Sequence, residues 1–148
     1  QMNAGWTIER QEINAADGAT GAPGDITIYK DGAIFKAIEV TERPIDGSRV
    51  DSTFSTKITL NNAAEYLFVY TNDLPRENAL ERAKAYFAQG YNINFASITD
   101  LTIHILLSGD EAFRTAYNER MFELFNAQNV QATIKVAWND ALTEAMQA

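Results

Sequence analysis

Two carboxylates in the stretch GDITIYKDGAIFKAIEVTERPID, residues 24–46, could do chemistry together: Asp25 heads one apolar run and Glu39 stands near the end of the next. Between the runs lies Lys30-Asp31-Gly32, and Asp-Gly takes φ > 0 readily enough to mark a two-residue hairpin. The runs are therefore expected to pair antiparallel, with Asp25 opposite residues 38 to 40. Side chains alternate along a strand, which predicts Phe35, Ala37, Glu39 and Thr41 on one face and Lys36, Ile38 and Val40 on the other. Asp25, Thr27 and Tyr29 share a face of the first strand, so Asp25 and Glu39 should converge. Carboxylates a few ångströms apart repel and lose hydration, and a cation or a proton has to compensate. With no cysteine and one histidine in the chain, any metal must be held by oxygen. Mg²⁺ leads, because it takes one or two carboxylates together with water and phosphate oxygens.

The elements that must position this pair read as follows. Trp6–Ile13 reads as a first strand, followed by the Gly- and Ala-rich loop NAADGATGAPG at 14–24. Asp25–Lys30 and Ala33–Thr41 are the hairpin strands. After Pro44 and Gly47, with Ser48 or Asp51 as cap, a helix is expected over Val50–Leu60, weakened by Thr53, Ser55, Thr56 and Thr59. Glu65–Thr71 (EYLFVYT) has the near-continuous apolar character of a strand buried on both faces. Leu74–Gln89 reads as a helix, with Pro75 in its first turn and Gly90 just past its end. Tyr91–Ser97 is a strand, Ile98–Ser108 a short helix, and Asp110–Ala127 a long helix capped by Asp110 or Ser108. Thr133–Trp138 fits a late strand, with Asn139–Met146 a closing helix. The expected class is α/β: a mixed β-sheet with an antiparallel meander flanked by helices. The chain of 148 residues has the size of a single domain, 1–148.

Composition narrows the function classes. Apolar residues at 46% and charged residues at 22% describe a globular chain rather than a disordered one. No apolar run approaches about 18 residues and no leader with a cleavage site is visible, so a cytoplasmic protein without a membrane partner is expected. The chain starts at Gln1, which suggests that an upstream segment is missing. The net charge of −8, from 20 acidic and 12 basic residues, argues against binding nucleic acid through a bulk positive field. It leaves room for a local patch of Lys and Arg. Tyr and Phe fall within strand and helix cores, which does not suit a stacking platform for single strands.

Asp25, then Glu39-Val40-Thr41 on the adjacent strand, resembles the PD-(D/E)xK nuclease superfamily. There the Asp and the second acid bind Mg²⁺, and a Lys two positions on orients or activates water. The wider wording, GDITIYKDGAIFKAIEVTERPID followed by a helix with Lys57 and then EYLFVYT, is similar to the catalytic region of SacI-type type II restriction endonucleases over 14–68. The resemblance implies Mg²⁺-dependent hydrolysis, with Mn²⁺ as a substitute, of phosphodiesters in double-stranded DNA. A homodimer is implied where the DNA site is two-fold. It also implies that Asp25, Glu39 and the Val40 carbonyl hold the metal, that Thr41 and Lys57 orient the water, and that a further acid precedes the meander, for which Glu9 and Glu12 are nearest.

This chain departs from the motif at Thr41, where Lys is expected. A hydroxyl can place a water but carries no charge. Three residues could supply the cation: Lys57 from the next helix, which is preferred for its reach, Arg43, or Lys36, whose parity is wrong. Each residue also has a plainer reading. Asp25 could take backbone hydrogen bonds at a hairpin edge, and Glu39 could pair with Arg43 or Lys57. A catalytically silent nuclease-fold domain acting in DNA or protein binding or assembly is the alternative. His104 in LTIHILL reads as a hydrogen-bonded core histidine, and Met121, Phe122, Leu124 and Phe125 read as core. Arg114, Arg120 and Lys135 read as a solvated helix face rather than a phosphate strip.

Overall fold

A computed structural model of the chain describes residues 5–11, 22–127 and 130–147. It divides into two units, Gln1–Leu101 and Thr102–Ala148. The first contains a five-stranded sheet of β1 (Trp6–Arg10), β2 (Ile26–Lys30), β3 (Ala33–Thr41), β4 (Glu65–Tyr70) and β5 (Asn92–Ser97), in the order β1-β2-β3-β4-β5. The pairs β1–β2 and β2–β3 are antiparallel, whereas β3–β4 and β4–β5 are parallel. This is the mixed sheet with a meander that the sequence predicts. Glu12 and Ile13, at the end of the predicted first strand, and loop residues 14–21 lie outside the described residues.

Asp31 and Gly32 have φ of 51° and 81°, the left-handed pair that a two-residue hairpin of this hand requires. The turn sets the register Ile26↔Ile38 and Thr27↔Ala37. A bulge between Ile28 and Tyr29 then leaves Phe35 without a partner, because Ile28 faces Lys36 and Tyr29 faces Ile34. The extra residue reverses parity on its near side. Ile34 therefore packs on the core, while Phe35 is exposed and meets Trp6 edge-on at 4.9 Å. The expectation that Phe35 shares the face of Ala37, Glu39 and Thr41 fails for this reason; the latter three are all buried.

From Gly47 to Asn61 the chain is helical without a break: α1 (Gly47–Thr53), a π-helical segment (Phe54–Ile58) and α2 (Thr59–Asn61). The cap is Asp46, not Ser48 or Asp51, since Asp46 Oδ1 accepts from the Arg49 N–H at 3.0 Å. The hydroxyls expected to weaken this helix instead bond its carbonyls: Ser55 and Thr56 donate to Ser52 O, and Thr59 donates to Phe54 O. Such back-bonding widens or bends a helix, in keeping with the π geometry. Phe54 stacks on Tyr86 at 3.7 Å and meets Tyr91 edge-on at 4.9 Å, contacts worth about 0.5–1.5 kcal/mol each beyond area burial.

Helix α3 (Glu77–Phe87) begins after Pro75, which lies outside it, and ends ahead of Gly90 at φ 91°. It lies against α1 so closely that a Cβ on Gly47 would meet Asn78 O at 3.2 Å. Asp51 ties the two helices, accepting from Arg82 Nε at 2.6 Å and from Tyr86 OH at 2.7 Å. The core gathers Ala37, Ile45, Val50, Ile58, Tyr66 and Phe68 with Ala79, Ala83 and Ile93 from α3 and β5. Val69, of opposite parity to Tyr66 and Phe68, is buried too, as expected for a strand covered on both faces.

Helix α4 (Ile98–Ser108) carries the chain into the second unit, which holds α5 (Glu111–Ala127) and α6 (Ala132–Gln147). Asp110 caps α5 through Phe113 N–H at 2.8 Å. The late strand over Thr133–Trp138 is not formed: those residues belong to α6, where Phe125 of α5 meets Trp138 edge-on at 5.6 Å. His104 is exposed rather than a core residue, because it faces outward on α4. Met121, Leu124 and Phe125 are half-buried and Phe122 is exposed, so that cluster is no closed core. No described helix is long and apolar enough to cross a membrane.

Candidate functional site

The hairpin register that places Ile26 opposite Ile38 brings Asp25 alongside Glu39 and Val40. Asp25 Oδ2 accepts the Val40 N–H at 2.7 Å, and among the described residues Oδ1 accepts nothing. Gly24 makes this approach possible, since a Cβ there would lie 2.6 Å from Ile38 O and 3.0 Å from Ile38 C. Asp25, Glu39, Val40 and Thr41 line one hollow of about 290 Å³ with Glu42, Arg43 and Arg49. The convergence expected from parity and the turn is therefore present, at the end of β3 where it runs parallel to β4.

Glu39 is 6% exposed, and three donors hold its carboxylate. Arg49 Nη2 reaches Oε1 at 2.6 Å, Lys57 Nζ reaches Oε2 at 3.0 Å, and Tyr66 OH donates to Oε2 at 2.7 Å. Burial alone would push the Glu39 carboxyl up, but Arg49, Tyr66 and Lys57 together outweigh it and hold it below the ordinary glutamate value. Burial, then the charge of Glu39 and its hydrogen bond, push the Tyr66 phenol far above its ordinary value. Tyr66 is thus a permanent donor.

Of the expected cations, Lys57 stands on Glu39. Arg43 lines the hollow, its N–H donating to Thr41 Oγ1 at 3.1 Å, and its guanidinium has no partner among the described residues. Lys36 faces Ile28 across the hairpin and lines neither this hollow nor the adjoining one. Glu9 sits on β1 and accepts from Tyr29 OH at 2.9 Å; Glu12 lies outside the described residues. Arg49 and Tyr66 escaped the sequence reading. Tyr66 carried a usable signal, because a phenol in a strand buried on both faces needs a partner for its hydroxyl. Arg114, Arg120 and Lys135 are each engaged locally, with Gly109 O, Glu123 and Asn126, as a solvated helix face requires.

The donor types suit a hard divalent cation: Asp25 and Glu39 bring carboxylates to a hollow lined by neither thiol nor imidazole. Among the described residues no group of three or more His, Cys, Asp or Glu is placed to hold a metal, so Glu42, which also lines the hollow, does not make a triad with Asp25 and Glu39. Asp25 offers a free oxygen, whereas both oxygens of Glu39 are engaged by cations or the phenol.

Residues 1–72 match the family model of the SacI restriction endonuclease C-terminal domain. The match covers just under half of the chain and includes Asp25, Glu39, Thr41, Arg49, Lys57 and Tyr66, while α3, β5 and the helical tail lie beyond it. It supports a restriction endonuclease-like relationship for the half that carries the acid pair. A comparison with curated proteins finds no match.

Proposed function

We propose that this chain hydrolyses phosphodiester bonds of double-stranded DNA in a divalent-metal-dependent, restriction-type reaction of the PD-(D/E)xK kind. The observation that carries this reading is that Asp25 and Glu39 line one hollow at a strand end, with Lys57 holding Glu39 from the adjoining hollow, within the stretch that matches a restriction endonuclease domain. Asp25, Glu39 and the Val40 carbonyl would hold Mg²⁺, or Mn²⁺ in its place. Bound there, such an ion would supply Lewis-acid chemistry, polarising the scissile phosphate and acidifying a water.

The remaining roles fall to the chain's own groups. Thr41 Oγ1 already accepts from Arg43 N–H, so its hydroxyl proton is free to orient a water. Lys57 would supply the charge that Thr41 lacks from across Glu39, in the adjoining hollow: an ammonium has three donors, one of which is spent on Glu39. Arg43 faces the phosphate. In this reading the chain acts as one restriction endonuclease-like domain in the cytoplasm, as a homodimer on a two-fold site.

A second reading, a silent nuclease-fold domain that binds or assembles, has one observation in its favour: both Glu39 oxygens are engaged. Plasmid nicking with Mg²⁺ or Mn²⁺ separates the two. The nuclease reading expects the wild type to nick, and Asp25→Asn and Lys57→Met to lose activity by about 10²-fold or more. A wild type that neither nicks DNA nor binds Mn²⁺ supports the silent domain.

A further inference from the structure

Arg49 stands between two hollows. On one side it lines the Asp25–Glu39 hollow of about 290 Å³; on the other it lines a hollow of about 590 Å³ together with Arg43, Ser52, Thr56, Lys57 and Arg76. In the larger hollow four cationic side chains, Arg43, Arg49, Lys57 and Arg76, face two carboxylates, Glu39 and Asp46. A local positive excess, in a chain of net charge −8, suits an anion. Planar guanidinium forks beside hydroxyls match the oxygens of a phosphodiester.

The partners of Glu39 are divided unevenly between its oxygens. Oε2 is held by both Lys57 and Tyr66, while Oε1 has Arg49 alone. Lys57 lines only the larger hollow, whereas Arg49 lines both. If Arg49 leaves, Oε1 loses its one partner while Lys57 and Tyr66 keep the carboxylate in place. Charge favours the same order of events. Asp25, Glu39 and Glu42 at this hollow are already balanced by Arg43, Arg49 and the Lys57 held on Glu39, and a divalent ion would add uncompensated charge until an anion arrives.

We infer that Arg49 exchanges Glu39 for a phosphate of the DNA strand in the larger hollow, and so makes the metal affinity of the acid pair depend on DNA. Arg49 is then a positioning residue, acting on the metal site through Glu39. The inference rests on the nuclease reading above. Linkage requires the coupling to be reciprocal: DNA raises metal affinity by the factor by which metal raises DNA affinity.

The test is Mn²⁺ binding to the whole chain, followed by electron paramagnetic resonance with and without a mixed-sequence duplex. In the wild type the duplex should raise Mn²⁺ affinity about tenfold or more, within the usual range of coupling between sites. Arg49→Gln should bind Mn²⁺ about tenfold more tightly than wild type without DNA, and gain little when DNA is added. Should circular dichroism show that Arg49→Gln does not fold, Arg49→Lys replaces it and should show a smaller gain of the same sign. If the wild type binds Mn²⁺ through Asp25, as shown by its loss in Asp25→Asn, and the Arg49 variant matches wild type without DNA, the exchange is refuted and the metal site stands. If no form binds Mn²⁺ with or without DNA, the exchange and the nuclease reading both fall.

Discussion

Replacing Glu39 by glutamine removes one negative charge from between two cations and keeps the side chain's shape. Breaking a buried ion pair by removing one partner costs about 3–5 kcal/mol, because the other charge is left uncompensated. Here the acid is 6% exposed, but the side chains of Arg49 and Lys57 are 23% and 22% exposed, so water screens part of what they lose. The amide oxygen also still accepts one bond. A loss of about 2–3 kcal/mol at pH 7 follows, which lowers the melting temperature by about 10 °C at this chain length. The pH dependence is the sharper signature. The Glu39 carboxyl is held below its ordinary value, so its contribution is complete above the unfolded-state pKa, near about 4.3. That contribution is lost as pH falls through the lower folded-state value. The wild type should therefore weaken on acidification more than Glu39→Gln, and their urea midpoints should approach each other below about pH 4. Equal stability at pH 7, or a gap that does not narrow in acid, would refute the assignment of Glu39 as a buried, doubly paired carboxylate.

Two further substitutions probe the elements that set the site. Gly24→Ala forces a Cβ to within 2.6 Å of the Ile38 carbonyl oxygen, a backbone clash that should cost about 1–3 kcal/mol. In thermal melts it should lower stability, and in Mn²⁺ titrations it should weaken binding through the neighbouring Asp25; unchanged values in both would mean that the strand end tolerates the shift. Asp46→Ala removes the cap whose carboxylate accepts from Arg49 N–H at 3.0 Å and should cost about 1 kcal/mol in urea denaturation. Asp46→Asn should recover most of that loss, since asparagine caps as well as aspartate.

The acid pair was legible because a local signal controls it. Asp31-Gly32 fixes the hairpin and the hairpin fixes which side chains meet, so Asp25 and Glu39 follow from a few residues of sequence. The bulge at Phe35 was not legible, because nothing in ITIYKDGAIFK distinguishes a paired Phe from an extra one. The register of β3 on β4 was out of reach for another reason: a parallel pair is joined by a long crossover, and no turn residue sets Ala37 opposite Tyr66. Tyr66 as a partner of Glu39 depends on that register. In the second unit, Thr133–Trp138 (TIKVAW) mixes β-branched residues and an aromatic, which favours a strand by propensity. The half-buried contact of Trp138 with Phe125 on a neighbouring helix goes with the helical outcome.

Arg49 is the partner of Glu39 that the sequence left unmarked. At about 100° per residue, positions i and i+8 of an α-helix stand about 80° apart, so Arg49 and Lys57 would not be expected to reach the same carboxylate. The π-helical segment at Phe54–Ile58 advances less per residue than an α-helix and turns Lys57 back toward the line of Arg49. Both side chains then close on Glu39, one on each oxygen. The hydroxyls of Ser55, Thr56 and Thr59, which look like weak helix formers in sequence, bond to carbonyls of this widened helix. A threonine at 41 therefore does not leave the strand end without a cation. The positive charge arrives from the helix, and the helix can deliver it because its turn is irregular where Lys57 stands.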